Sequence, residues 1–88
     1  MTTFRIKDGI LFQELGRDLV LFDLETNLPC TLNPVGSLIF RMIDGKRTLG
    51  EIAQRVSREY DVGFDQAMKD LLELSEALIR RGIIEEVR

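Results

Sequence analysis

Histidine and tryptophan are absent from this 88-residue sequence, and cysteine occurs once, as Cys30. Without histidine, catalysis by an imidazole acid, base or nucleophile is excluded, and so is a metal cluster of cysteine and histidine ligands. One thiol cannot form an internal disulfide bond. The sequence places no base or positive charge close to Cys30 that would activate the thiol. No catalytic group is recognisable, and we expect a protein that is not an enzyme.

Long apolar runs and an excess of positive charge are also missing. No run approaches the roughly 20 residues that a membrane-crossing helix requires. Residues 1–9 lack the apolar core of a secretory signal, so we expect a cytoplasmic protein. The formal net charge of −3 gives no general attraction to nucleic acid or to an acidic membrane surface. The length and the hydrophobic content of 44% predict a single folded domain over residues 1–88.

The first third of the chain contains strand-forming apolar runs separated by turn signals. Three of these runs are residues 10–15, 19–23 and 28–32. They predict an antiparallel meander of three strands, with residues 4–6 as a lead-in or an extension of the first strand. Because Pro29 cannot donate to a ladder, we expect the third strand to lie at the edge of the sheet. Its other side would then be open for pairing.

Capping signals mark two helices after the strands. Asn33 can cap the first helix, Pro34 suits its first position, and Gly45 is a signal for its end. Thr48 and Glu51 have the spacing of a capping box that opens a second helix reaching residue 60.

A third helix is predicted from residue 64 to about residue 81, with Gly82 as its C-terminal cap. Residues 83–84 are expected to return to the core, and residues 85–88 to form a tail. The predicted fold class is α+β, a winged helix–turn–helix in which a three-stranded antiparallel sheet is followed by a three-helix bundle.

A helix–turn–helix raises the hypothesis of DNA binding, in which a polar or basic helix enters the major groove. The third helix has the wrong charge for this role. Its acidic residues are Asp65, Asp70, Glu73 and Glu76, and Lys69 is its one basic residue before Ile79. We therefore expect no nucleic-acid partner, and a nucleic-acid-binding or transcription accessory domain stays the alternative.

The third helix also carries two apolar stripes, although one stripe is enough to pack a helix on a core. The second stripe is formed by Met68, Leu72 and Ile79. Either the sheet and the other helices cover it, or it lines a groove beside the edge strand. In such a groove methionine and leucine would accept varied apolar side chains, and Lys69 could select acidic groups. A third possibility is a homodimer that pairs through the open edge.

Several segments, in this order along the chain, resemble a known family. They are Leu19-Val-Leu-Phe-Asp-Leu-Glu-Thr, Leu32-Asn-Pro-Val-Gly-Ser-Leu-Ile, Asp44-Gly-Lys-Arg-Thr-Leu-Gly-Glu-Ile, and a final helix that ends in Arg-Arg-Gly-Ile-Ile. Over residues 10–85 the chain resembles the PqqD-like family (coenzyme PQQ synthesis protein D-like), which are recognition elements for ribosomally made precursor peptides.

The resemblance implies a non-catalytic adaptor, or peptide chaperone, without a cofactor. Members bind the leader segment of a precursor peptide, which adds as a strand to the third strand and packs on the third helix. They pass the peptide to a modifying enzyme, often a radical S-adenosylmethionine protein. The peptide-binding residues that the resemblance implies here are Leu28, Cys30, Thr31 and Leu32 on the strand and Met68, Lys69, Leu72 and Glu73 on the helix.

Overall fold

The computed structural model describes residues 2–87 and divides them into five strands and three helices. In chain order these are β1 (Thr3–Ile6), β2 (Ile10–Leu15), β3 (Asp18–Asp23), β4 (Pro29–Leu32), α1 (Pro34–Met42), α2 (Leu49–Tyr60), α3 (Phe64–Arg80) and β5 (Ile84–Val87).

The main sheet has the strand order β2-β3-β4, and both pairings are antiparallel. Alternation along β3 sets its faces, because Leu19 and Leu21 are buried while Val20 and Phe22 are half-buried on the other side. β4 pairs with β3 alone in the part of the chain that the structure describes. The predicted meander and the edge position of its third strand are therefore confirmed, and Pro29 is the first residue of that strand.

The second sheet was not predicted. β1 and β5 pair antiparallel, with Ile6 opposite Ile84 and Thr3 opposite Val87. The prediction that residues 4–6 are a lead-in or an extension of the first strand was wrong, and so was the prediction of a tail over residues 85–87. Arg88 lies outside the described residues. Pairing between segments about 80 residues apart has no local sequence signal, which explains the error.

The start of α1 was predicted correctly, and its end was not. The side chain of Asn33 accepts a hydrogen bond from the backbone N–H of Gly36 at 2.8 Å, and Pro34 is the first helical residue. The helix ends at Met42, before Gly45. Gly45 instead adopts a φ of +82° and donates its N–H to the carbonyl of Phe4 at 2.7 Å. This glycine therefore joins the turn after α1 to strand β1.

The capping signals of the other two helices are confirmed. Thr48 and Glu51 form the reciprocal capping box at the start of α2. Gly82 follows α3 with a φ of +72°, and its N–H donates to the carbonyl of Ile79 at 2.9 Å. The chain then turns back, so that Ile83 is buried as predicted.

One hydrophobic core joins the main sheet, the three helices and the β1–β5 pair. Its largest fully buried side chains are Leu19, Leu21, Ile39, Phe40, Ile52, Val56, Leu71, Leu78 and Ile84. The α+β class, with a three-stranded antiparallel sheet followed by three helices, is confirmed, while the winged helix–turn–helix description stays a prediction. Within residues 2–87, no helix has the length and apolar character needed to cross a membrane.

Candidate functional site

The free edge of β4 has backbone groups directed away from the sheet. The N–H of Asp23 donates to the carbonyl of Leu28, and this pair has the same register as Leu21 with Cys30 and Leu19 with Leu32. In an antiparallel ladder, alternate residues direct both backbone groups toward the same neighbour. Cys30 and Leu32 therefore face β3, whereas Pro29 and Thr31 face outward. Thr31 presents both an N–H and a carbonyl at the free edge, and Pro29 presents a carbonyl alone.

A cleft of about 460 Å³ lies beside the C-terminal part of this edge. We call it the β4–α3 cleft, and it is lined by Thr31, Leu32, Asn33, Val35, Gly36, Ile39, Asp70, Glu73 and Leu74. One wall is the end of β4, the floor is the first half of α1, and the opposite wall is α3. An extended chain placed here would contact the outward-facing groups of Thr31 and the side chains of α3 together.

Gly36 brings the three elements of the cleft together. A Cβ atom added at this residue would lie 3.3 Å from Leu32 Cβ, 3.3 Å from Asn33 Oδ1 and 3.5 Å from Leu74 Cδ2. Hydrogen in place of a side chain therefore lets α1 approach the end of β4 and the flank of α3 closely. The glycine of the Leu-Asn-Pro-Val-Gly segment thus has a physical role in forming the floor of the cleft.

Arg81 lies at the other end of the boundary between β4 and the C-terminal half of α3, which we call the strand–helix junction. Its Nη1 donates to the carbonyl of Pro29 at 3.4 Å, and its side chain is exposed. A smaller depression of about 300 Å³ at this end is lined by Asp23, Thr26, Leu28, Pro29, Arg81 and Ile83. Since Pro29 meets the C-terminal end of α3 and Thr31 meets its middle, β4 and α3 run in opposite directions along the junction.

The strand residues predicted for the site lie along this junction. Thr31 and Leu32 line the β4–α3 cleft, and Leu28 lines the depression beside Arg81. Leu28 is 63% exposed, which leaves its side chain accessible to a partner. Cys30 is a half-buried free thiol packed against the core. Cys30 and Leu32 both direct their backbone groups toward β3, so the pairing capacity of the edge rests on Thr31.

The helix residues predicted for the site fall into two groups. Glu73 lines the β4–α3 cleft, but Met68, Lys69 and Leu72 do not. At 3.6 residues per turn, Leu72 points about 160° away from Leu74, which does line the cleft. Met68 packs partly against the core and Leu72 is 47% exposed. The structure therefore corrects the prediction that the Met68 and Leu72 stripe faces the edge strand, because this stripe lies on the opposite flank of α3.

Asp70 and Leu74 line the β4–α3 cleft and Arg81 contacts Pro29, although the sequence pattern did not assign these residues to the candidate site. Asp70 and Leu74 lie on the other side of the buried residues Ala67 and Leu71 from the Met68 and Leu72 stripe. Helical periodicity identifies the core-facing row of α3, and it does not distinguish which of the two neighbouring flanks meets β4. Because Asp70 is polar, the apolar pattern of α3 favoured the flank with Met68 and Leu72.

Comparison with solved structures shows the same fold in two complexes. TbiB1, solved in complex with the TbiA(beta) leader peptide, is 26% identical to this chain, with 92% of this chain and 94% of that chain covered and a TM-score of 0.83. Lasso peptide synthetase B1, complexed with the leader peptide, is 24% identical, with 93% and 96% covered and a TM-score of 0.83. No curated protein matches the sequence.

The family comparison agrees with the resemblance found in the sequence. The model of "Coenzyme PQQ synthesis protein D (PqqD)" matches residues 18–84. This segment begins with β3 and ends at the first residue of β5, and it includes both walls and the floor of the β4–α3 cleft. The chain therefore belongs to the PqqD family.

Proposed function

We propose that this protein is a non-catalytic adaptor that binds the leader segment of a ribosomally synthesised precursor peptide. The leader adds as a strand to the free edge of β4 and lies in the β4–α3 cleft, and the adaptor presents it to a modifying enzyme. Residues 1–88 act as one recognition domain. The partner enzyme is a peptide-modifying enzyme, for which a radical S-adenosylmethionine protein is the family-based candidate.

One observation carries this proposal: the outward-facing backbone of Thr31 lies beside a cleft that a helix borders. Strand addition takes affinity from main-chain hydrogen bonds and selectivity from pockets beside them, and both elements are present here. The structural similarity to TbiB1, a protein bound to a leader peptide, supports the same use of this chain.

A nucleic-acid partner has less support. The candidate cations near α2 are partly neutralised, because Arg47 lies 3.3 Å from Asp44 and Arg55 lies 3.1 Å from Glu59. Asp70 and Glu73 face the cleft, where they would repel phosphate. Homodimerisation through the β4 edge would use the same backbone groups of Thr31, so a second copy and a leader peptide would exclude each other there.

Amide hydrogen exchange tests the proposal at single residues. The probe is a synthetic leader from the precursor gene adjacent to the gene for this protein. At ten times its Kd, we expect exchange at Thr31 to slow about ten-fold, because only the free protein exchanges. Cys30 is the matched control, since its N–H already faces β3. Protection of Cys30 or of residues 46–58 without protection of Thr31 would overturn the proposal.

The salt dependence of binding separates the two functions. Neutralisation of six to ten phosphates would weaken binding by about 10³–10⁵ between 50 and 200 mM salt. Binding through a backbone ladder and a cleft that carries, within residues 2–87, only two carboxylates, Asp70 and Glu73, should change far less over this range. If leader affinity falls by a factor of this size, the nucleic-acid function is favoured. Tight binding of DNA that weakens steeply with salt would favour it as well.

A further inference from the structure

The two ends of the strand–helix junction carry opposite charge. Asp70 and Glu73 line the β4–α3 cleft, and no cationic side chain of the described residues lines it with them. At the other end Arg81 contacts the carbonyl of Pro29. Along the junction, α3 thus presents acidic groups first, then Leu74 and the half-buried Ala77, and finally a basic group.

These charges are available to a ligand. Within residues 2–87, neither Asp70 nor Glu73 takes part in an ion pair, and Asp70 accepts a hydrogen bond from Gln66 Nε2 at 2.9 Å. Arg81 is likewise absent from these ion pairs. Asp23 lines the depression near Arg81, but it is only 7% exposed and accepts from the backbone N–H of Glu25 at 2.8 Å. A guest chain therefore meets negative charge at one end and positive charge at the other.

The geometry of the helix and of an extended strand sets how many guest residues separate the acidic end of the junction from its basic end. Glu73, Ala77 and Arg81 are four residues apart, so they form one row along the helix. At 1.5 Å per residue, the eight residues from Glu73 to Arg81 span about 12 Å. An extended strand covers that length in about four residues, at roughly 3.3 Å each. Because strand side chains alternate, residues i and i+4 point to the same face.

We propose that the junction selects peptide strands that carry a basic and an acidic side chain four residues apart. The basic side chain lies against Asp70 and Glu73, the acidic one lies against Arg81, and an apolar side chain midway between them packs over Ala77. This inference rests on the proposed function and deepens it by naming the class of leader. The guest runs antiparallel to β4, as both pairings within the main sheet do, so its basic side chain comes four residues before its acidic one.

Four synthetic ten-residue peptides in one host sequence test the spacing and the sign. The first has lysine at position 3 and glutamate at position 7. The second has lysine at both positions, the third has glutamate at both, and the fourth has lysine at position 3 and glutamate at position 6. At low ionic strength we expect the first to bind about three- to ten-fold more tightly than the others, since each of these misplaces one charge.

Charge reversal of Arg81 should change the preference. In Arg81→Glu we expect the peptide with two lysines to bind best. Arg80→Glu is the matched control, because it changes the net charge equally and Arg80 lies 2.9 Å from Glu76, away from the cleft lining. This control should keep the preference of the unmodified protein. The same preference in both variants would overturn the inference.

The two proposals fail in different ways. Suppose that the leader protects Thr31 from exchange, but the protein binds the four peptides equally or binds none of them. The charge spacing is then overturned, and the proposed function stands. If the leader does not protect Thr31, the proposed function is overturned together with this inference.

Discussion

Ile84 of β5 lies directly opposite Ile6 of β1, and Ile84 is 2% exposed. The pair brings together segments from both ends of the chain and joins them to the core. We expect Ile84→Ala to lower the free energy of unfolding by about 2–5 kcal/mol, because it removes buried methyl groups and leaves a cavity. Denaturant unfolding measures this change. Glu86→Gln, on the exposed face of the same strand, should stay within about 0.5 kcal/mol. Equal losses in the two variants would contradict the described pairing.

The features of the fold that could be predicted from the sequence arise from interactions between residues only a few positions apart. Asn33 caps α1 through the N–H of a residue three positions later, and Thr48 and Glu51 cap α2 over the same distance. The β1–β5 sheet has no such cause. Its strands lie about 80 residues apart in the sequence, so neither strand alone indicates its partner.

The candidate site was predictable in part for the same reason. Pro29 indicates an edge strand from its own chemistry, because it lacks an N–H, and the edge position of β4 was predicted correctly. The flank of α3 that faces β4 depends on how the helix is placed against the sheet. The more apolar flank, with Met68 and Leu72, was the natural choice from sequence, and the structure directs Glu73 and Leu74 to the cleft instead.

Substitution by tryptophan on adjacent residues distinguishes the two flanks. Glu73 and Leu72 are both exposed on α3, so neither substitution disturbs the core. We expect Glu73→Trp to weaken leader binding about ten-fold or more, a loss of about 1.4 kcal/mol, because the indole occupies the β4–α3 cleft. Leu72→Trp should bind the leader with unchanged affinity. Isothermal titration measures both affinities.

The natural sequence contains no tryptophan, so each variant also carries a unique fluorescent reporter. The indole emission of the Glu73→Trp variant should shift when the leader binds, and that of the Leu72→Trp variant should not. If binding is lost only in Leu72→Trp, the leader binds on the flank of α3 that the sequence pattern favoured, beside Met68 and Leu72.

Reciprocal capping by Thr48 and Glu51 gives a prediction for stability. The Glu51 side chain accepts from the N–H of Thr48 at 2.9 Å, and the Thr48 hydroxyl accepts from the N–H of Glu51 at 3.3 Å. We expect Thr48→Ala to lower the free energy of unfolding by about 1 kcal/mol. A double-mutant cycle with Glu51→Ala should be non-additive, because the two side chains act as a unit. Additive losses would show that the two capping contacts act independently.

Asp44 gives a prediction for the effect of pH. The backbone N–H groups of Arg47 and Lys46 donate to its Oδ1 at 2.8 and 2.9 Å, and they hold the pKa of this carboxyl below its usual value of 3.8. Because the unfolded chain binds this proton more readily, the contribution of Asp44 to stability is complete above pH 3.8. It is lost as the pH falls through the lowered pKa.

An NMR titration of the Asp44 carboxyl carbon checks the direction of the shift directly. We also expect Asp44→Asn to remove the part of the acid-induced loss of stability that belongs to this residue. A midpoint at or above 3.8 for Asp44 would contradict the turn geometry.

The free edge of β4 has a consequence for solubility. An unpaired strand is a template on which further copies can stack into fibres. This strand has four residues, begins with a residue that has no N–H, and has the carbonyl of that residue occupied by a guanidinium. A growing ladder would find the complete donor and acceptor set only at Thr31. The same features that restrict which guest can dock therefore also limit the stacking of further copies on this edge.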